Sequence, residues 1–146
     1  MTGKTSQPEK PGIILGIDYG TKRMGIAVGQ LMTGTATPLK ALPAKDGVPQ
    51  CHLLELVIAQ WRPIKIVVGR PVHLDGAVSE MTKKAERFAR QVAGRYDLTC
   101  LIADERLSTY EAKSLIRDVA PKADKDSLSA CLILEHWMRE NNKQTP

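Results

Sequence analysis

The apolar and polar positions change period along the chain, and each change marks a new element. Ile13 to Asp18 is a short, nearly continuous apolar run, as expected for a strand buried on both faces. Tyr19 to Arg23 is a polar turn containing Gly20, and Met24 to Val28 is a second apolar run, so the pair reads as a hairpin. A third strand falls within Gly34 to Leu42, where Pro38 points to an edge position. The period then lengthens. Leu54, Val57, Ile58 and Trp61 recur at i, i+3, i+4 and i+7, one face of a helix, with Pro49 near its start and Pro63 beyond its end. Ile64 to Gly69 is again a buried strand, and the loop from Arg70 to Val78 carries Pro71 and Asp75-Gly76. Met81, Ala85, Phe88 and Val92 line one face of the next helix, while Lys83, Arg87 and Arg90 lie opposite. Thr99 to Ala103 is the last strand. Ser108 to Glu111 is a capping box, and Ala112, Leu115, Ile116 and Val119 form the apolar stripe of the helix it opens. Pro121 follows, and a final helix runs from about Asp126 to Asn141.

Strand–helix–strand crossovers force parallel pairing and place helices on the faces of the sheet. The fold class is therefore α/β. With right-handed crossovers, a mixed five-stranded sheet in the order 3-2-1-4-5 is expected, its second strand antiparallel to its neighbours. The expected organisation is a loose N-terminal tail over 1–11, one domain over 12–140 and a C-terminal tail over 141–146.

Composition narrows this further. The chain has 146 residues, 42% of them hydrophobic and 25% charged, the balance of a globular domain and not of a disordered segment. Such a length can bury a core without disulfide or metal staples. No apolar run approaches the roughly 18 residues of a membrane span, and Met1 to Lys10 lacks the apolar core of a secretory signal. Cys51, Cys100 and Cys131 are far apart in apolar segments, which suits free buried thiols in a reducing compartment. The scattered His52, His73 and His136 give no zinc spacing. Lys+Arg is 21 against 16 Asp+Glu, a formal net charge of +5 that permits an anionic partner without requiring one.

Three acids end strands or open helices: Asp18, Glu105 and Asp126. The carboxyl ends of strands in an open α/β sheet are where sites form. Asp126 shares a helical face with Ala130, Ile133 and Trp137, at the rim of a buried stripe. Carboxylates converging at one edge repel unless a cation neutralises them, and oxygen-only ligands favour Mg²⁺ or Mn²⁺. Lys22, Arg23, Arg70 and Arg106 lie beside these acids, where cations can hold the phosphates of a polyanion. Each feature also has a plain structural explanation. Asp18 before Gly20 can be a turn former, Glu105 can pair with Arg106, and Asp126 can complement a helix dipole. The basic stripe Lys83, Arg87 and Arg90 can be a solvated face.

Four segments resemble the YqgF/RuvX family of Holliday junction resolvase-like proteins. They are Gly16-Ile-Asp-Tyr-Gly-Thr-Lys-Arg-Met-Gly25, Val68-Gly-Arg-Pro-Val-His-Leu-Asp-Gly76, Asp104-Glu-Arg-Leu-Ser-Thr109 and Lys125-Asp-Ser-Leu-Ser-Ala-Cys-Leu-Ile-Leu134. They stand in the family's order and span Ile13 to Trp137. The resemblance implies an RNase H-like fold and a cytoplasmic, metal-dependent nuclease that processes the 5′ end of the 16S rRNA precursor, with junction resolution as the older inference. It carries the catalytic and metal-binding acids onto Asp18, Glu105 and Asp126, with structured RNA or branched DNA as substrate, a ribosomal precursor particle as a partner, and a monomer or homodimer as the assembly. Arg70 stands where the family has Leu. Ser129 occupies the place where related resolvases carry a second helix acid. Those enzymes also take their glutamate from the end of the first parallel strand, so the distance from Glu105 to Asp18 is the weakest link, and Asp75 is the reserve ligand. Two other functions fit parts of the pattern. Gly16 to Thr21 also resembles the phosphate loop of actin-like ATPases, which need two such domains. A non-catalytic nucleic-acid-binding factor fits the same fold.

Overall fold

The computed structural model describes residues 12–20, 22–45, 48–49, 51–70, 80–104 and 125–142. In chain order the elements are β1 (Ile13–Asp18), β2 (Arg23–Gln30), β3 (Thr35–Pro38), β4 (Leu42–Lys45), β5 (Val48–Pro49), α1 (Cys51–Trp61), β6 (Lys65–Arg70), α2 (Glu80–Tyr96), β7 (Thr99–Asp104) and α3 (Lys125–Asn142). The tail over 1–11, the loop over 71–79, and the capping box with its helix between β7 and α3 lie outside the described residues.

The sheet runs β5-β4-β2-β1-β6-β7, with β3 also paired to β2. β1 and β2 form the expected antiparallel hairpin, while β6 and β7 add in parallel. The path β3-β2-β1-β6-β7 is the expected 3-2-1-4-5 order, but among the described residues the sheet has seven strands where five were expected. One extra strand, β4, comes from a bulge, and the other, β5, pairs antiparallel along β4. Ala27 pairs with Pro38, yet Met24 pairs with Leu42, so three steps along β2 face four along its partner. β3 and β4 are thus two halves of one bent edge. Neither β4, with Pro43 inside four residues, nor the two-residue β5 has a period-2 signal to read. Backbone bonds hold β4 instead: the Ala44 N–H donates to the Lys22 carbonyl at 2.8 Å, and β5 pairs along it.

Alternation along β1 separates two packed layers. Leu15 and Ile17 face α1 and α2 and join Leu54, Ala85, Phe88 and Val92. Ile14 faces α3 and joins Ala130, Cys131, Leu134 and Met138. Small residues let α3 settle onto this second face. A Cβ on Gly16 would run into Leu134 and lie 3.1 Å from the Ala130 carbonyl oxygen. One on Gly29 would lie 3.1 Å from a Leu134 methyl and 3.2 Å from the Met138 methyl. Cys100 and Cys131 carry free thiols, Cys131 buried as expected and Cys100 only half-buried, and the side chain of Cys51 lies outside the described residues. Among the described residues no helix is long and apolar enough to cross a membrane.

Candidate active site at the carboxyl end of the central strands

Asp18 closes β1, and the same alternation that sends Ile14 and Gly16 to α3 sends Asp18 to that face. Its neighbours in register are Gly25 on β2 and Gly69 on β6, and Ala103 on β7 follows Gly69. The row Gly25–Asp18–Gly69–Ala103 therefore holds one long side chain, the half-buried Asp18. Large residues would fill this end of the layer. The two glycines, both buried, add no side chain beside the carboxylate.

The start of α3 lies at the same end. Met138 packs by Gly29, Leu134 by Gly16, and the Ala130 carbonyl by Gly16, so the helix runs antiparallel to β1. One turn further back, the fully buried Ser127 accepts a hydrogen bond from the Ile26 N–H at 3.1 Å. The Ile26 carbonyl accepts from Leu39 N–H at 2.8 Å, where the bulge breaks the regular ladder. Ser127 thus satisfies a backbone donor that the bulge leaves over, and pins the first turn of α3 to β2. Asp126 is in that first turn. Ser127 was not singled out from the sequence; its only signal was a small hydroxyl beside a candidate ligand.

The other predicted residues divide by position. Lys22 and Arg23 are exposed in the β1–β2 hairpin, where Gly20 is required because a Cβ would run into the Arg23 carbonyl. Arg70 ends β6, in register with Asp104 at the end of β7. Glu105, Arg106 and the reserve Asp75 lie outside the described residues, as do the side chains of Arg70 and Asp126. The backbone thus brings Asp18, Lys22, Arg23, Arg70 and the Asp126 turn to one end of the molecule. Among the described residues no three His, Cys, Asp or Glu side chains gather into a metal-sized group.

On the opposite face Tyr19 links this end to α2. Its ring meets Phe88 at 5.4 Å between centroids, tilted by 49°. Burial pushes the Tyr19 phenol above its ordinary range, and the nearby Arg87 guanidinium pulls it partly back.

An antiparallel trio extended by two parallel strands, with an acid ending the first strand and a helix crossing that face, defines the class of RNase H-like resolvase folds. T. thermophilus RuvC in complex with a Holliday junction matches at TM-score 0.61 and 15% identity, over 89% of this chain and 96% of that one. Fowlpox virus resolvase with Holliday junction DNA matches at TM-score 0.57 and 11% identity, over 88% and 98%. These likenesses concern the fold. Sequence relationship is closer. A Hahella chejuensis protein is 44% identical over 130 residues, covering 86% of this chain and 82% of its own. An Azotobacter vinelandii protein is 45% identical over 135 residues, covering 89% and 95%. Each bears the name "Putative pre-16S rRNA nuclease". The RuvX family profile, described as Holliday junction resolvase, matches residues 12–140, and the chain belongs to that family.

Proposed function

We propose that this protein is a metal-dependent nuclease, a phosphodiester hydrolase that trims the 5′ end of the 16S rRNA precursor in the cytoplasm. The carrying observation is Asp18, flanked in register by two glycines at the end of the central strand and on the face that α3 covers. The names of relatives at 44% and 45% identity support the substrate.

Carboxylate oxygens suit Mg²⁺ or Mn²⁺. In this reading Asp18, Glu105 and Asp126 hold the ions, with Asp18 between the other two. β7 is two strands from β1, roughly 10 Å at ~4.8 Å per strand. Gly69 on the strand between them offers no side chain to block that span. Bound there, divalent ions supply an activated water and stabilise the leaving oxygen of a phosphodiester. The cations serve the substrate. Lys22, Arg23, Arg70 and Arg106 grip phosphates on either side of the scissile bond, the arginines as bidentate forks and Lys22 as a point charge.

The test is cleavage of a precursor transcript carrying its 5′ extension, and of a four-way DNA junction, with Mg²⁺, Mn²⁺ or chelator. The expected result is divalent-dependent cleavage of the RNA, reduced at least about 100-fold by Asp18→Asn in a protein that still folds. RNA binding without cleavage under every cation would leave a non-catalytic binding factor. Cleavage of the junction alone would replace the substrate.

A further inference from the structure

α2 carries five basic and two acidic residues, a net of +3 in a chain whose formal charge is +5. Its buried stripe, Ala85, Phe88, Ala89 and Val92, fixes which side faces the core. Lys83, Arg87 and Arg90 are consequently exposed along the outer side. They differ from Arg95 on the same helix, which pairs with Glu55 at 3.4 Å. None of the three is in an ion pair among the described residues. Isolated cations on a solvated face need no explanation. A row of three whose middle member stands beside the residue that follows Asp18 has a direction.

That direction comes from the packing. Tyr19 follows Asp18 directly, and its ring meets Phe88, the neighbour of Arg87. The row therefore passes the acid end of the sheet at Arg87, with Lys83 about 6 Å before it and Arg90 about 4.5 Å after it along α2, at ~1.5 Å per residue. From Lys83 to Arg90 the helix rises about 10.5 Å, at ~1.5 Å per residue. That is close to three base-pair steps of a duplex strand, at ~3.4 Å per step. It is also about one Debye length at 0.1 M salt, so the three charges act on a polyanion together.

We infer that the outer face of α2 is a second nucleic-acid contact, a phosphate track in which Lys83, Arg87 and Arg90 hold one strand of a duplex arm leading away from the cleavage site. The inference rests on the nuclease reading and adds to it that the substrate is helical beyond the cut. Phosphate contacts of this kind position a duplex without reading its sequence.

The experiment is equilibrium binding by fluorescence anisotropy across a salt series, in chelator so that no cleavage occurs. The probes are a hairpin RNA with a long duplex arm, the same RNA with its arm cut to a few base pairs, and a DNA duplex of matching length. Lys83→Gln with Arg87→Gln and Arg90→Gln is compared with Lys65→Gln, Arg95→Gln and Arg139→Gln, which remove equal charge at the other end of the sheet. The α2 variant is expected to lose about 2–3 from the slope of log K against log salt on the long arm, at roughly 0.7–0.9 per phosphate contact. Its affinity for the short-arm RNA and its melting temperature should stay at the wild-type values. Equal loss on the DNA duplex makes the track indifferent to sugar, and loss on RNA alone makes it specific to A-form arms. An unchanged slope, or an equal change in the control variant, overturns the track and leaves the nuclease reading standing. Absence of cleavage in the separate assay with Mg²⁺ or Mn²⁺ overturns the nuclease reading and leaves this binding result interpretable.

Discussion

At Gly16 α3 lies close against the sheet. A methyl there runs into Leu134 and reaches within 3.1 Å of the Ala130 carbonyl oxygen, and both residues are fully buried. Gly16→Ala is expected to cost about 1–3 kcal/mol by overpacking. Urea midpoints measure it, and Gly16→Ala with Leu134→Ala should cost less than the sum of the two single changes. Cys131 gives a pH prediction. Burial, and then the charge of Glu135, push its thiol from 9.0 to about 12. The folded chain therefore keeps this proton to higher pH than the unfolded chain. Its contribution is complete below about pH 9 and is lost as pH rises toward 12, by at most ~1.4 kcal/mol per pH unit. Urea midpoints taken from about pH 8 to about pH 10.5 should show the wild-type advantage over Cys131→Ala shrinking as pH rises. The thiol was legible as core from its apolar surroundings. Gly16 was quoted only as part of a motif, because the side chain that forbids a methyl belongs to a helix over a hundred residues away.

At the scale of elements, the bulge and α3 depend on each other. Ser127→Ala strips the Ile26 N–H of its partner in a buried setting, at a cost of about 1–3 kcal/mol. Hydrogen exchange at the Ile26 amide should quicken in that variant, while amides at the far end of β2 keep wild-type protection. α1 offers a change of the opposite sign. Arg62 follows it at φ 47°, in the left-handed region, with its N–H bonded to the Ile58 carbonyl at 2.8 Å. Arg62→Gly is expected to raise stability by up to ~1 kcal/mol, since glycine takes this conformation without the steric cost. A lower melting temperature for that variant would contradict this. α1, α2, α3 and the long strands were legible because the core selects their apolar period. β4 and β5 were not: they are held by backbone bonds to a neighbouring strand, and backbone bonds leave no mark on side-chain choice.

For the whole molecule, the crossover rule was enough to order the main strands, since handedness is set by chain chirality and not by particular side chains. The candidate site was legible in part. Asp18 stands out as an acid ending an apolar run. Its glycine flanks do not, because Gly25 and Gly69 become its neighbours only through strand register. The cations around this end make a further prediction. Arg70→Ala with Arg106→Ala should lower the slope of log K against log salt for RNA by roughly 1–2, and an unchanged slope would move substrate binding away from this edge. In the proposed site Asp18, Glu105 and Asp126 hold the catalytic ions. Anomalous diffraction from crystals soaked in Mn²⁺ tests it most directly. A manganese peak is expected about 2.0–2.6 Å from an Asp18 carboxylate oxygen, with oxygens of Glu105 and Asp126 completing the ligands of that ion or of a second one beside it. Manganese bound elsewhere, or Asp18 and Asp126 oxygens more than about 8 Å apart in a crystal that cleaves RNA, would contradict it.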